Sequence, residues 1–214
     1  MLPVTPEFAI ASSERVLLGP DETPALVVRT SAQGRRPVAI IQHGYGSRKE
    51  DFELVGSVLA GYGVNTVLPD ASGHGERRAQ GTPHPNEIRS RRFFLTVVRE
   101  TTASLTAATG WARSQPWADP RGILVGGFSM GAMAALITGT EDPQVAGIVS
   151  ISGSPLIDLA QARTLGDEPI PDELTVWCRE HDVAAQVDRL AGRPLLLQHG
   201  RRDDMVPVAG TLRL

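Results

Sequence analysis

The chain has 214 residues, 41% of them hydrophobic and 21% charged, with a formal net charge of −3, as expected of an ordinary globular protein with one large or two small domains. It carries no basic stripe for a nucleic-acid backbone, no apolar run near the ~20 residues of a membrane-spanning helix, and no signal-peptide pattern over residues 1–10. Cys178 is the only cysteine, which excludes an internal disulfide and a thiolate metal cluster and fits a reducing, cytoplasmic setting.

Residues 14–30 read as a hairpin: Val16-Leu17-Leu18, a Gly19-Pro20-Asp21 turn, then 25–28. Residues 38–41 form a short buried strand that runs into Gln42-His43-Gly44. Residues 50–62 are helical, with Phe52, Val55 and Leu59 on one face. Residues 64–68 make another strand, ending at Pro69-Asp70. Residues 86–114 form a long helix with a stripe of Phe94, Val98, Thr101, Leu105, Ala108 and Ala112. A strand over 123–127 leads into a helix over 130–141, and strands follow at 145–151 and 195–198. Apolar strands alternating with helices predict an α/β fold: one domain over 1–214 with a mostly parallel sheet covered on both faces. Residues 154–191 are too long for a plain crossover. They are expected to form a small lid over the C-terminal edge of the sheet, where ligands of such sheets bind; an elaborated crossover helix is the plainer alternative.

The chemistry is concentrated in Gly126-Gly127-Phe128-Ser129-Met130-Gly131. This is G-x-S-x-G at the point where a strand becomes a helix. A tight turn there pushes the Ser129 hydroxyl out of the backbone, and the following helix aims its free N–H groups at the same place. An oxyanion hole needs two backbone donors: one expected from Met130, the other from the loop after the 38–41 strand, at Tyr45. Asp70-Ala71-Ser72-Gly73-His74-Gly75 follows the next strand, with Asp70 expected to anchor that loop. His199-Gly200-Arg201-Arg202-Asp203-Asp204-Met205-Val206-Pro207 follows the 195–198 strand.

Together, His43-Gly44-Tyr45, G-x-S-x-G, the Gly73-His74-Gly75 loop and the H-G-x-x-D-x-x-V-P run resemble the α/β-hydrolase superfamily. The nearest resemblance is to small bacterial carboxylesterases of the YjfP type, in the dienelactone-hydrolase-like and prolyl-oligopeptidase-like branch. It extends from about residue 36 to the end of the chain. It implies an α/β-hydrolase fold with Ser129 as nucleophile and Asp203 as triad acid, Asp204 being the competing carboxylate. The implied activity is carboxylesterase, through an acyl-enzyme on small-molecule esters, with no cofactor and no metal. A thioesterase or peptidase on the same machinery is the alternative, and so is a non-catalytic binding protein. His43 orders the oxyanion loop or, with Phe52 and Trp177, lines the substrate pocket.

In the family the triad order is Ser, acid, His, with the histidine after one more strand. Here 11 residues follow Asp203, and all five histidines (His43, His74, His84, His181, His199) precede it. The expectation is therefore a truncated C-terminus that lacks the last strand, the closing helix and the catalytic histidine. An uncovered strand edge would invite a homodimer.

Overall fold

Gly19 turns the chain at φ 62°, a conformation that glycine adopts without strain. It joins β1 (Ile10–Leu18) to β2 (Thr23–Thr30) as an antiparallel hairpin. In the computed structural model, which describes residues 7–156 and 165–214, this hairpin borders a seven-stranded sheet of order β1-β2-β4-β3-β5-β6-β7. The remaining strands are β3 (Arg36–Gln42), β4 (Asn65–Pro69), β5 (Ala118–Phe128), β6 (Gly147–Ile151) and β7 (Leu195–Gln198). From β4 to β7 every pairing is parallel, and β2 meets β4 antiparallel. The expected parallel sheet is present, with the hairpin added at one side.

Strand alternation sends side chains to two cores. Val27 joins the large core under α2 (Arg91–Ser114) and α3 (Met130–Glu141), while Leu26 and Val28 join a small one with Ala60 and Leu68 under α1 (Glu53–Gly61). The stripe Phe94, Val98, Thr101, Leu105, Ala108 and Ala112 is buried along α2 as expected. That helix starts later than its periodicity suggested. Ser90 caps it, its hydroxyl accepting from the Phe93 N–H at 3.1 Å, and Pro85–Glu87 is a separate 3-10 turn.

The face of α1 also differs. Val55 is exposed, and the helix buries Gly56, Ala60 and Gly61 instead. A Cβ at Gly56 would stand 2.6 Å from Thr66 Oγ1, so the helix lies too close to the sheet for a large side chain there.

The lid expected over 154–191 falls partly outside the described residues, which do not include 157–164. Glu168 sits at the start of α2, where its carbonyl accepts from Arg91 at 2.8 Å and its carboxylate from the Arg92 N–H at 3.2 Å. Beyond it lie α4 (Asp172–Glu180) and a 3-10 stretch (Val183–Leu190), the latter packed on α3. His181 pairs with Glu141, the last residue of α3, at 3.2 Å. Residues 172–190 are therefore a crossover packed beside α3. After β7 a single short helix, α5 (Val208–Thr211), follows. Among the described residues, none is hydrogen-bonded to the outer side of β7 as a strand.

Candidate active site

Four strands end in step. Gln42 of β3 pairs with Gly127, Phe128 of β5 with Ile151, and Ile151 of β6 with Gln198. The loops that follow emerge along one edge of the sheet and bring His43-Gly44-Tyr45, Ser129, Ser152-Gly153 and His199 to Asp203 to the same side of the molecule.

Ser129 has φ 52° and ψ −118°, a region that non-glycine residues occupy at a cost on the order of 1–3 kcal/mol. The neighbouring contacts hold it there. A Cβ at Gly127 would collide with the backbone of Gly131, and a Cβ at Gly131 with the carbonyl oxygens of Gln42 and His43. Both glycines of the motif are needed so that strand, turn and helix can touch. The Ser129 N–H donates to Ile151 O at 2.8 Å, and its carbonyl accepts from the Ala132 N–H at 3.0 Å. Its hydroxyl does not cap α3 and stands half-buried in a cleft of about 330 Å³ with Gly44, Tyr45, Ser47, Phe52 and Phe128.

The backbone N–H groups of Tyr45 and Met130 donate to no acceptor among the described residues. The first belongs to a loop that is firmly held. The Tyr45 ring packs edge-on against His74 at 5.2 Å and beside Phe94 at 5.4 Å, and its hydroxyl donates to Ile88 O at 3.4 Å. Burial pushes that phenol up to about 12.

His43 lies beneath this loop. Its Nδ1–H donates to Gly44 O at 2.8 Å, and its Nε2 accepts from the Ala71 N–H at 3.0 Å. It is 1% exposed, and burial lowers its pKa despite the Gly44 bond and nearby Asp70. A ring with both nitrogens engaged and no open surface does not touch substrate, which corrects the pocket role expected for it. His74 donates from Nδ1 to Ser72 O at 2.7 Å, and burial lowers it to about 4.

Asp70 anchors its own loop, as anticipated, and the Lys49 turn as well. Its carboxylate accepts from the Lys49 and Glu76 N–H groups, each at 3.0 Å. Its partner is the Lys49 ammonium at 2.7 Å, which also reaches Glu76 at 2.6 Å. Lys49 had no sequence signal. It lies in Ser47-Arg48-Lys49-Glu50-Asp51, which reads as a solvated helix start, yet it is 1% exposed.

Asp203 stands on the turn after β7. Its Oδ1 accepts from the Met205 and Val206 N–H groups at 3.0 and 2.8 Å, and its Oδ2 lies 3.5 Å from His199 Nε2. Asp204 is exposed. His199 ties this turn to neighbouring loops, with Nδ1 2.6 Å from Thr211 Oγ1 and Nε2 2.7 Å from Val206 O. The Thr211 hydroxyl in turn donates to Gly153 O at 2.5 Å.

Of the expected pocket residues, Phe52 lines the cleft and Trp177 does not. Trp177 stacks on His181 at 4.6 Å, and His181 pairs with the far end of α3, about 16 Å along that helix from Met130 at 1.5 Å per residue. Phe128 was missed. It stands beside Ser129 and is 44% exposed, but a strand-end phenylalanine reads as core. A larger polar cavity of about 440 Å³ lies across Ser47, walled by Arg15, Arg48, Glu76, Arg78 and His84. It contains no free nucleophile, since the Ser47 hydroxyl donates to Asp51 at 2.6 Å.

Among the described residues no helix is long and apolar enough to cross a membrane. Two curated relatives align over 187 residues. Esterase YjfP of Escherichia coli (strain K12) is 29% identical, covering 83% of this chain and 73% of that protein. Putative esterase YitV of Bacillus subtilis (strain 168) is 30% identical, covering 82% and 71%. TT1662 from Thermus thermophilus superposes with a TM-score of 0.77 at 21% identity, covering 95% of this chain and 80% of that one. Acetyl xylan esterase 1 from Thermoanaerobacterium sp. JW/SL YS485 superposes with a TM-score of 0.65 at 19% identity, covering 98% and 77%. At those identities the likeness to the solved structures is one of fold. The family model described as alpha/beta hydrolase matches residues 38–211, from β3 through α5 and across every loop of the site, and the chain belongs to the alpha/beta hydrolase family.

Proposed function

We propose that this protein is a serine esterase acting on small carboxylic esters, with Ser129 as nucleophile. The observation that carries this reading is the Ser129 turn, held at φ 52° with a hydroxyl that caps nothing. The names of the two curated relatives support it. Ser129 Oγ attacks the ester carbonyl as an imidazole takes its proton. The carbonyl oxygen becomes an oxyanion, held by the N–H groups of Tyr45 and Met130 and by the positive end of α3. The C–O bond then breaks, and the imidazolium returns the proton to the departing alcohol. Water, deprotonated by the same imidazole, releases the acid from the acyl-enzyme. Asp203 orients the imidazole. Its Oδ1 is held by its own turn, which frees Oδ2 for this purpose. The reaction as proposed needs no metal or organic cofactor.

None of the five imidazoles suits the role of base. Those of His43 and His199 have both nitrogens engaged. His74 Nε2 is enclosed, His181 lies at the far end of α3, and His84 walls the cavity across Ser47 and not the Ser129 cleft. The proposal assigns the base to a histidine outside residues 1–214.

The test is a fluorophosphonate probe applied to the natural protein, followed by peptide mapping and an intact mass. A label on the Ser129 peptide, lost in Ser129→Ala together with p-nitrophenyl acetate hydrolysis, is the expected result. An unlabelled, inactive protein would make this a binding scaffold and overturn the reading.

A further inference from the structure

The cleft at Ser129 is asymmetric. Its apolar walls are Phe52 and Phe128, whereas the cavity across Ser47 is walled by charged side chains. An alkyl chain leaving the ester carbonyl can be desolvated only on the phenylalanine side, because charged groups lose water at a high cost.

The two walls are not equivalent. Phe52 packs against the small core of Leu26, Val28, Ala60 and Leu68, so that core fixes its position. Phe128 is held on one side only. A Cβ at Gly44 would stand 3.0 Å from Phe128 Cδ1, so the ring rests against the oxyanion loop and cannot swing further toward it. Its other side is open, and the residue is 44% exposed. An aromatic ring left in water beside a nucleophile is an unspent driving force, since covering apolar surface is favourable. An acyl group in the cleft would cover it. A volume of about 330 Å³ lies near the lower end of the roughly 300–1,000 Å³ typical of ligand sites.

We propose that Phe128 is the specificity-determining residue of the acyl subsite: its ring closes the subsite and restricts the enzyme to short acyl groups. This rests on the serine esterase reading above and goes further by naming the residue that sets acyl length.

The experiment measures kcat/KM for p-nitrophenyl acetate, butyrate, hexanoate and octanoate with the wild-type protein, Phe128→Leu and Phe128→Ala. The readout is the octanoate-to-acetate ratio within one sample, which does not depend on the fraction of protein folded. The ratio is expected to rise in the order wild type, Leu, Ala, by about 10-fold or more for Ala, since an added methylene accepted by an apolar pocket is worth roughly 10–200-fold. A wild type labelled by fluorophosphonate whose ratio stays unchanged in Phe128→Ala would overturn the assignment of Phe128 alone. A wild type that neither labels nor hydrolyses any ester of the series would overturn both readings.

Discussion

The ammonium of Lys49 lies 2.7 Å from the carboxylate of Asp70, with the two side chains 1% and 0% exposed. This pair joins the loop that carries Tyr45 to the loop after β4. Burial alone would lower the lysine pKa, but its bonds to Asp70 and Glu76 outweigh that and raise it. Lys49→Met leaves Asp70 as a buried, unpaired charge, so a loss of about 3–5 kcal/mol in urea denaturation is expected. The lysine is protonated more tightly in the folded state. Its contribution is therefore complete below its unfolded value of about 10.4 and is lost as pH rises through the folded value. A flat stability profile through alkaline pH would contradict this.

His74 gives the opposite window. Burial, ahead of every other influence, lowers it from 6.5 to about 4. Between those values the unfolded chain binds a proton that the folded chain does not, so stability falls as pH drops from 6.5 toward 4. The loss is on the order of 3 kcal/mol. His43 shifts in the same direction and adds to it. The check is the NMR titration of the His74 ring, expected to show a midpoint near 4; a midpoint near 6.5 would refute the argument.

Substitutions at Ser129 separate chemistry from strain. Ser129→Ala keeps φ 52°, so activity is abolished while stability stays as it was. Ser129→Gly also abolishes activity, but it releases the strain and raises stability by about 1 kcal/mol. Chemical denaturation measures the difference, and a less stable Gly variant would show that the turn is not strained.

Gly131→Ala would place a Cβ against the carbonyl oxygens of Gln42 and His43. Backbone cannot rotate out of the way as a flexible side chain can. The expected cost is about 3 kcal/mol or more, seen as a lower Tm. Gly110→Ala is the control, because nothing lies within 4 Å of a Cβ there and its φ is ordinary, so no loss of stability is expected.

Asp203→Asn should reduce kcat of the natural protein by roughly 10⁴, as expected when the group that orients a triad histidine loses its charge. Asp204→Asn should have little effect. For residues 1–214 alone, the proposed absence of a base predicts kcat roughly 10⁴–10⁶ below that of a protein supplied with it. A short-chain ester assay of both forms decides, and equal kcat values would place the base within residues 1–214.

Much of this molecule is written in local pattern. The span of α3 (Met130–Glu141) and of β7 (Leu195–Gln198) follows from apolar runs bounded by turn residues. So does the buried stripe of α2, because a helical period needs no knowledge of distant partners. The Ser129 turn was legible for the same reason: glycines two residues to either side of a serine, between strand and helix, leave the backbone few alternatives. What depended on distant neighbours was not legible. Val55 and Gly56 exchanged places because Thr66, on a strand formed later in the chain, comes too close for a side chain. Lys49 became buried because Asp70 and Glu76 converge on it from another loop. Trp177 was assigned to a pocket that it misses, because the crossover after residue 171 runs down beside α3 to Glu141. Phe128 carries no sign in its own neighbourhood that its ring faces solvent beside Ser129; that follows only when Gly44, from the loop after a different strand, closes its other side. The elements and the Ser129 turn have causes that lie within a few residues of the chain. Which side chains wall the cleft is set by close approach between distant segments, which local pattern does not record.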